Sequence, residues 1–303
     1  MRKKLSVAEA GSIDPIECIQ VTNALIATHG KPTRATDPLE DLEYLDDTGR
    51  MNQQSREEAS STGSKKRIAV LDSLIRTILS QNTTDKTSIR AYAELKRRFP
   101  EWEGVRTAKS SDVEDAIRQG GLAEIKVQRI QTLLDALKSE RGECDLEWLR
   151  GKDTEFIKEY LGQFKGIGPK TIACTLMFSM HRPDFPVDTH VLRICKQLFW
   201  IPKSFSRVEA YEYLNSQVPD DVKYDLHVLL VTHGKECRQC QSKPSVVRDK
   251  RTVCALKLLA HGFQKKRRSR EKKGDGRYIA INDEKEDIAV DDDVKKKPMI
   301  LSD

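Results

Sequence analysis

The stretch Phe164-Lys165-Gly166-Ile167-Gly168-Pro169-Lys170-Thr171 constrains this chain more than any other. Gly166 and Gly168 have no Cβ, so the backbone there can turn tightly and come close to another surface. Pro169 follows at once, and proline is favoured where a helix begins, because the first helical N–H has no partner anyway. Upstream, Phe156, Ile157, Tyr160, Leu161 and Phe164 recur at helical spacing. The segment therefore predicts a helix, a glycine hairpin and a second helix, with no strand. The N–H groups of such a turn point outward beside a positive helix end, which suits an anion such as a phosphate. A glycine joint between two packed helices with no ligand is the other reading of the turn alone. Pro186-Val187-Asp188-Thr189-His190-Val191 follows, placing Asp188 as the N-cap of a helix from Thr189 to Phe199.

Helical periodicity dominates the rest of the chain. Asp14 and Pro15 open a helix over 14–29, carried by Ile16, Ile19, Val21, Leu25 and Ile26 and closed by Gly30 and Pro32. Residues 31–65 are polar and end in Ser60-Ser61-Thr62-Gly63-Ser64, the composition of a flexible linker. From Lys66 onward apolar residues return every three or four positions, first at Ile68, Val70, Leu71, Leu74, Ile75 and Ile78. Strand-type alternation is not evident, so the fold class is all-α. Beyond Gly262 the chain turns basic and then acidic, the composition of a disordered tail.

The net charge is +6, with basic runs at Lys96-Arg97-Arg98 and Lys265-Lys266-Arg267-Arg268-Ser269-Arg270. That balance suits a polyanionic partner and salt-sensitive binding. There is no run of eighteen apolar residues, so no membrane span is expected. No apolar stretch follows Met1-Arg2-Lys3-Lys4-Leu5, which argues against secretion. The basic cluster at 265–273 reads either as a nuclear localisation signal or as a solvated tail. The expected location is nuclear, with mitochondrial as the alternative.

The string from Phe164 to Ala173, followed by Phe185 to Leu198, resembles the helix-hairpin-helix (HhH-GPD) DNA glycosylases of the endonuclease III superfamily. The resemblance covers roughly Ile68 to Cys240. It implies an all-α, two-domain fold with a cleft between the domains. A six-helix barrel would occupy 66–180, with the hairpin unit at about 154–180. A second helical domain would occupy 181–262, with the 14–30 helix packed on it. Residues 1–13 and 263–303 would be disordered.

In bifunctional members of that family the hairpin lysine attacks the sugar C1′ and the aspartate assists departure of the base. Those positions are Lys170 and Asp188 here. An amine attacks only when neutral, and burial or a positive helix N-terminus favours the neutral form. The bland alternatives are a phosphate-contacting lysine and a plain helix cap. Leu79-Ser80-Gln81-Asn82-Thr83-Thr84-Asp85 matches the family's gap-filling segment, placing Asn82 at the wedge position with Gln81 beside it. Damaged bases must leave the stack to be reached, so a wedge is needed. A polar helix end and turn is the alternative for this cluster. Lys165, Gly166, Ile167, Gly168 and Thr171 complete the expected DNA interface.

The implied function is a base excision glycosylase with abasic-site lyase activity on an oxidised pyrimidine. The implied partner is double-stranded DNA carrying a damaged base or an abasic site, and the chain is expected to be a monomer. Alternatives are another lesion (oxidised guanine or a mismatch) and a non-catalytic DNA-binding module.

Seven scattered cysteines, at 18, 144, 174, 195, 237, 240 and 254, suggest reduced thiols. Many members of the resembled family hold a four-iron cluster with the spacing C-x6-C-x2-C-x5-C. Cys237, Cys240 and Cys254 offer only C-x2-C-x13-C. The expectation is no cofactor and no metal. The alternative is a zinc site formed by Cys237, Cys240, Cys254 and His233.

Overall fold

A computed structural model describes residues 12–34, 68–241 and 254–271. The expected linker (from 35 onward), the N-terminal eleven residues and the tail beyond 271 lie outside the described residues. Among the described residues there are helices and no strands. In chain order the α-helices are α1 (Pro15–His29), α2 (Val70–Leu79), α3 (Asp85–Arg98), α4 (Trp102–Thr107), α5 (Ser110–Ile117) and α6 (Ala123–Arg141). They continue with α7 (Thr154–Gly162), α8 (Pro169–Phe178), α9 (Thr189–Gln197), α10 (Arg207–Gln217), α11 (Lys223–Glu236) and α12 (Ala255–Glu271).

Local chemistry explains the boundaries. Asp14 caps α1 by accepting from the Ile16 N–H at 3.0 Å, and Gly30 leaves the helix with φ +82°. Ser206 and Glu209 form a reciprocal capping box at the start of α10. Gly142 ends the long α6 at φ +80°.

The buried apolar residues fall into two cores. One runs from Val70 to Leu176 and fills the space among α2, α3, α5, α6, α7 and α8. The other joins Ile13, Cys18, Val21 and Leu25 of the α1 region to residues from Phe185 to Phe263. The chain therefore leaves the second core after α1 and returns to it after α8.

The second core also differs from expectation. The α12 helix runs to Glu271, well past residue 262, so the first part of the supposed tail is ordered. Arg267, within the basic cluster, is buried and pairs with buried Glu17 of α1 at 2.7 Å. Trp200 Nε1 donates to the same Glu17 carboxylate at 3.2 Å. Lys266 pairs with Asp14 at 2.8 Å. Composition could not show this, because those basic residues have acidic partners some two hundred and fifty positions away.

Candidate active site

The hairpin is anchored from both sides. Behind it, Trp148, Phe156, Tyr160 and Phe164 form a chain of edge-on and stacked rings with centroids 5.1 to 6.2 Å apart, fixing α7 against the barrel. Gly166 adopts φ +87°, the left-handed region that glycine tolerates. A Cβ there would also stand 2.4 Å from Arg129 Nε. Gly168 is extended, at φ −103°, and a Cβ on it would meet nothing within 4 Å. The two glycines thus do different jobs: one makes the turn, and the other leaves the outer face bare. The turn's own backbone bonds come from the N–H groups of Ile167, Thr171 and Ile172. Those of Gly166 and Gly168 take no part in them, in keeping with an anion-binding turn.

Gln81 ties the segment after α2 to this turn. Its Nε2 donates to the Gly166 carbonyl at 3.0 Å and to Thr171 Oγ1 at 3.3 Å, while Arg129 donates to its Oε1 at 2.8 Å. Asn82, next along, is exposed and holds φ +54°. Lys126 is buried and donates to the carbonyls of Leu79 and Gly120, both at 2.8 Å, closing the end of α2 just before the wedge.

The side chains of Ile167 and Thr171, both expected at the DNA interface, face inward. Both are buried, Ile167 in the barrel core and Thr171 against Gln81, because the hairpin must pack onto the barrel. Any DNA contact from them runs through backbone. Gln81 likewise has its amide engaged within the protein, whereas Lys165 is exposed.

Gly166→Ala is expected to destabilise the protein by about 2 kcal/mol, combining the left-handed backbone with displacement of Arg129. Urea unfolding would show it. Gly168→Ala, with open space around its Cβ, should be close to neutral for stability while weakening DNA binding. Equal stability losses for the two would remove this distinction.

Lys170 and Asp188 stand at the starts of two helices, α8 and α9. Lys170, half-buried, sits in the first turn of α8 and reaches the Cys174 thiol one helix turn on. Asp188, also half-buried, caps α9 by accepting from the Val191 N–H at 2.7 Å through Oδ1. The charges of both act on two buried groups, the Cys174 thiol and the His227 imidazole. Burial raises the Cys174 pKa, with Lys170 pulling the other way. It also pushes His227 well below its ordinary value. The His227 ring is flanked by Phe178 and Phe185, and its Nδ1–H donates to the Pro186 carbonyl at 2.9 Å. A neutral His227 therefore holds the peptide that leads into Asp188.

Neither His227 nor Cys174 was visible as part of the site from sequence. The signal available was a polar residue within the apolar run Leu226-His227-Val228-Leu229-Leu230.

The pH consequence has a definite sign. The folded pKa of His227 is depressed, so its contribution to stability is present above the unfolded value of about 6.5 and is lost as pH falls below it. Unfolding free energy should fall by about 1.4 kcal/mol per pH unit from this group alone. His227→Gln, which keeps a donor for Pro186, should flatten the profile between pH 7 and 5. An unchanged slope would exclude His227 as its source.

Comparison with known proteins decides the family. The chain is 43% identical over 243 residues to a candidate DNA glycosylase of Arabidopsis thaliana, covering 79% of this chain and 81% of that protein. The sequence profile of the HhH-GPD superfamily of base excision DNA repair proteins matches residues 75–220. The chain belongs to the HhH-GPD superfamily. That makes it an enzyme of the base excision DNA glycosylase class, with DNA as its partner.

Endonuclease III of Sulfolobus acidocaldarius is 28% identical over 179 residues, covering 58% of this chain and 77% of that protein. The DNA glycosylase/AP lyase ROS1 of Arabidopsis thaliana is 32% identical over 168 residues, covering 47% of this chain but only 12% of ROS1. A non-covalent endonuclease III–DNA complex shares the fold, at TM-score 0.53 and 20% identity, covering 72% of this chain and all of that one.

A second cluster lies at the end of α11. His233, Cys237, Cys240 and Cys254 bring one ligand atom each within 4.8 Å of one another. The four-iron cluster of many HhH-GPD members does not fit this set. A cubane places each thiolate on its own iron, with the cluster body between the sulfurs. Here Cys240 and Cys254 Sγ stand 3.6 Å apart, and Cys254 Sγ lies 3.2 Å from His233 Nε2, leaving no room for that body.

Proposed function

We propose that this HhH-GPD protein is a bifunctional DNA glycosylase and abasic-site lyase that works through a lysine Schiff base. What carries the reading is that Lys170 lies half-buried in the first turn of α8, straight after the glycine turn, and Asp188 lies half-buried at the N-cap of α9, each at the family's motif position. A DNA-binding module has no need for that lysine and that aspartate at those two positions.

In this reading Gly166, Gly168 and Lys165 hold the phosphate backbone, and Asn82 fills the space left by the extruded base. The neutral Nζ of Lys170 attacks C1′. The N-glycosidic bond breaks, and its electron pair leaves with the base, which takes up a proton. The Asp188 carboxylate stabilises the positive charge that develops on the sugar. The sugar ring opens as nitrogen and C1′ form the Schiff base. Loss of a C2′ proton then expels the 3′ phosphate. The proposed lesion class is an oxidised pyrimidine, supported by the likeness to endonuclease III. No iron–sulfur cluster enters the reading, given three cysteines in the wrong spacing and the close-set ligand atoms. The protein is read as a nuclear monomer. A nuclear signal in the 265–273 stretch would have to work without Lys266 and Arg267, which α1 holds.

The test is borohydride trapping on duplex DNA carrying either an oxidised pyrimidine or an abasic site. A covalent protein–DNA adduct on both is expected. An adduct on the abasic site alone would move the lesion class elsewhere. No adduct on either, with tight binding, would leave a glycosylase without the lysine chemistry.

A further inference from the structure

The cluster at the end of α11 joins one stretch, 233–240, to Cys254 at the start of α12. His233 and Cys237 lie four residues apart, on the last turn of α11. Cys240 follows in the turn that its own N–H closes onto the Cys237 carbonyl at 3.0 Å. Cys254 sits just before α12. His233, Cys240 and Cys254 are buried and Cys237 is half-buried.

We propose that these four residues form a mononuclear structural zinc site that stands where relatives carry an iron–sulfur cluster. A tetrahedral zinc with Zn–S near 2.3 Å places its ligand atoms about 3.8 Å from one another. The 3.6 Å between Cys240 and Cys254 is close to that edge, Cys254 to His233 Nε2 at 3.2 Å is somewhat shorter, and all four ligand atoms lie within 4.8 Å of one another. Three thiolates and one neutral imidazole are a common closed structural zinc set. Binding displaces the three thiol protons to solvent, so affinity falls as pH is lowered.

The surroundings support a metal independently of the distances. A ligating imidazole normally donates its second N–H to a partner that fixes its tautomer. His233 Nδ1 lies 2.9 Å from His29 Nε2, and His29 Nδ1 lies 3.2 Å from the Glu236 carboxylate. Read from the carboxylate inward, each ring can donate outward from Nδ1: His29 to Glu236, and His233 to His29 Nε2. That leaves the Nε2 lone pair of His233 aimed at the metal position. His29 is the last residue of α1, so the relay joins the first described helix to the site. On the other side, Arg193 of α9 donates to the carbonyls of Cys240 at 2.8 Å and Gly234 at 3.0 Å. Gly234 packs so tightly on His190 that a Cβ there would stand 2.8 Å from that side chain. The zinc would therefore staple α1, α11 and α12 together and brace α9, the helix that Asp188 caps.

The site is tested without DNA. Full-length protein, grown with both zinc and iron and purified without oxygen, should carry about one zinc per chain and no iron. Cobalt(II) replacement should give the visible bands of a tetrahedral thiolate–imidazole centre. About four irons per chain, metal-free protein or a Cys240–Cys254 disulfide would each overturn the proposal. Cys254→Ser should lose the metal. Because that variant may unfold, His29→Gln is the second one, since it keeps all four ligands. It should bind zinc 10- to 100-fold more weakly in a chelator competition while its circular dichroism is unchanged. Unchanged affinity would remove the relay from the site. None of these readouts depends on the Lys170 chemistry, so the two proposals can fail separately.

Discussion

Lys170→Ala should give no borohydride-trapped adduct and no strand cleavage, while binding abasic DNA with nearly wild-type affinity. The nucleophile supplies the covalent step itself. Its loss should slow strand scission by at least ~10³-fold, down to the background that binding and the Asp188 charge leave. The side chain lies at the start of α8, is half-buried, and belongs to neither apolar core. Truncation should therefore cost little stability, and a thermal melt would separate misfolding from lost chemistry. One complication is built in. Lys170 also offsets part of the rise that burial imposes on the Cys174 pKa, and its removal takes that influence away. Lys170→Gln keeps a polar side chain there and should be equally inactive. Appreciable cleavage by either variant would take Lys170 out of the mechanism.

Asp188→Asn should slow release of the base by roughly 10²-fold and leave the fold intact. The reason lies in the two roles of this residue. As N-cap of α9 it accepts from Val191, and asparagine caps as well as aspartate does. In the proposed mechanism its charge acts on the sugar, and asparagine removes that charge. The substitution therefore separates the roles: melting temperature should barely move while single-turnover base release falls. Asp188→Ala should lose both, with about 1 kcal/mol of stability gone as well. Single-turnover rates equal to wild type in Asp188→Asn would reduce the residue to a helix cap. The step after base release should respond less, because Schiff-base formation on a pre-formed abasic site no longer has a base to expel.

The local features were legible because their causes are local. The Asp14 cap, the glycine hairpin, Pro169 at a helix start and the Asp188 cap each depend on a few neighbouring residues, and they fall where spacing put them. Helical periodicity likewise marked the all-α class, since a 3.6-residue repeat is visible in any amphipathic segment. The family resemblance was carried by two strings that sit on either side of the cleft.

What only the tertiary structure decided is every relation between groups far apart in the chain. Ile167 and Thr171 lie in an exposed-looking turn, yet the barrel buries their side chains. Gln81 resembles a DNA-facing residue, yet it fastens Gly166 and Arg129. Arg267 belongs to a run of basic residues that composition assigns to solvent, but a single buried carboxylate on α1 brings it inside. The cysteine spacing argued against an iron–sulfur cluster and left a zinc set only as the alternative. Folding nonetheless closes His233, Cys237, Cys240 and Cys254 on one another, with His29 behind them. The physical reason is the same in each case. Backbone propensity and capping act over one helix turn, so a short window of sequence contains them. Burial, ion pairing and ligand geometry depend on which helices pack together, and no single window of this chain holds both partners.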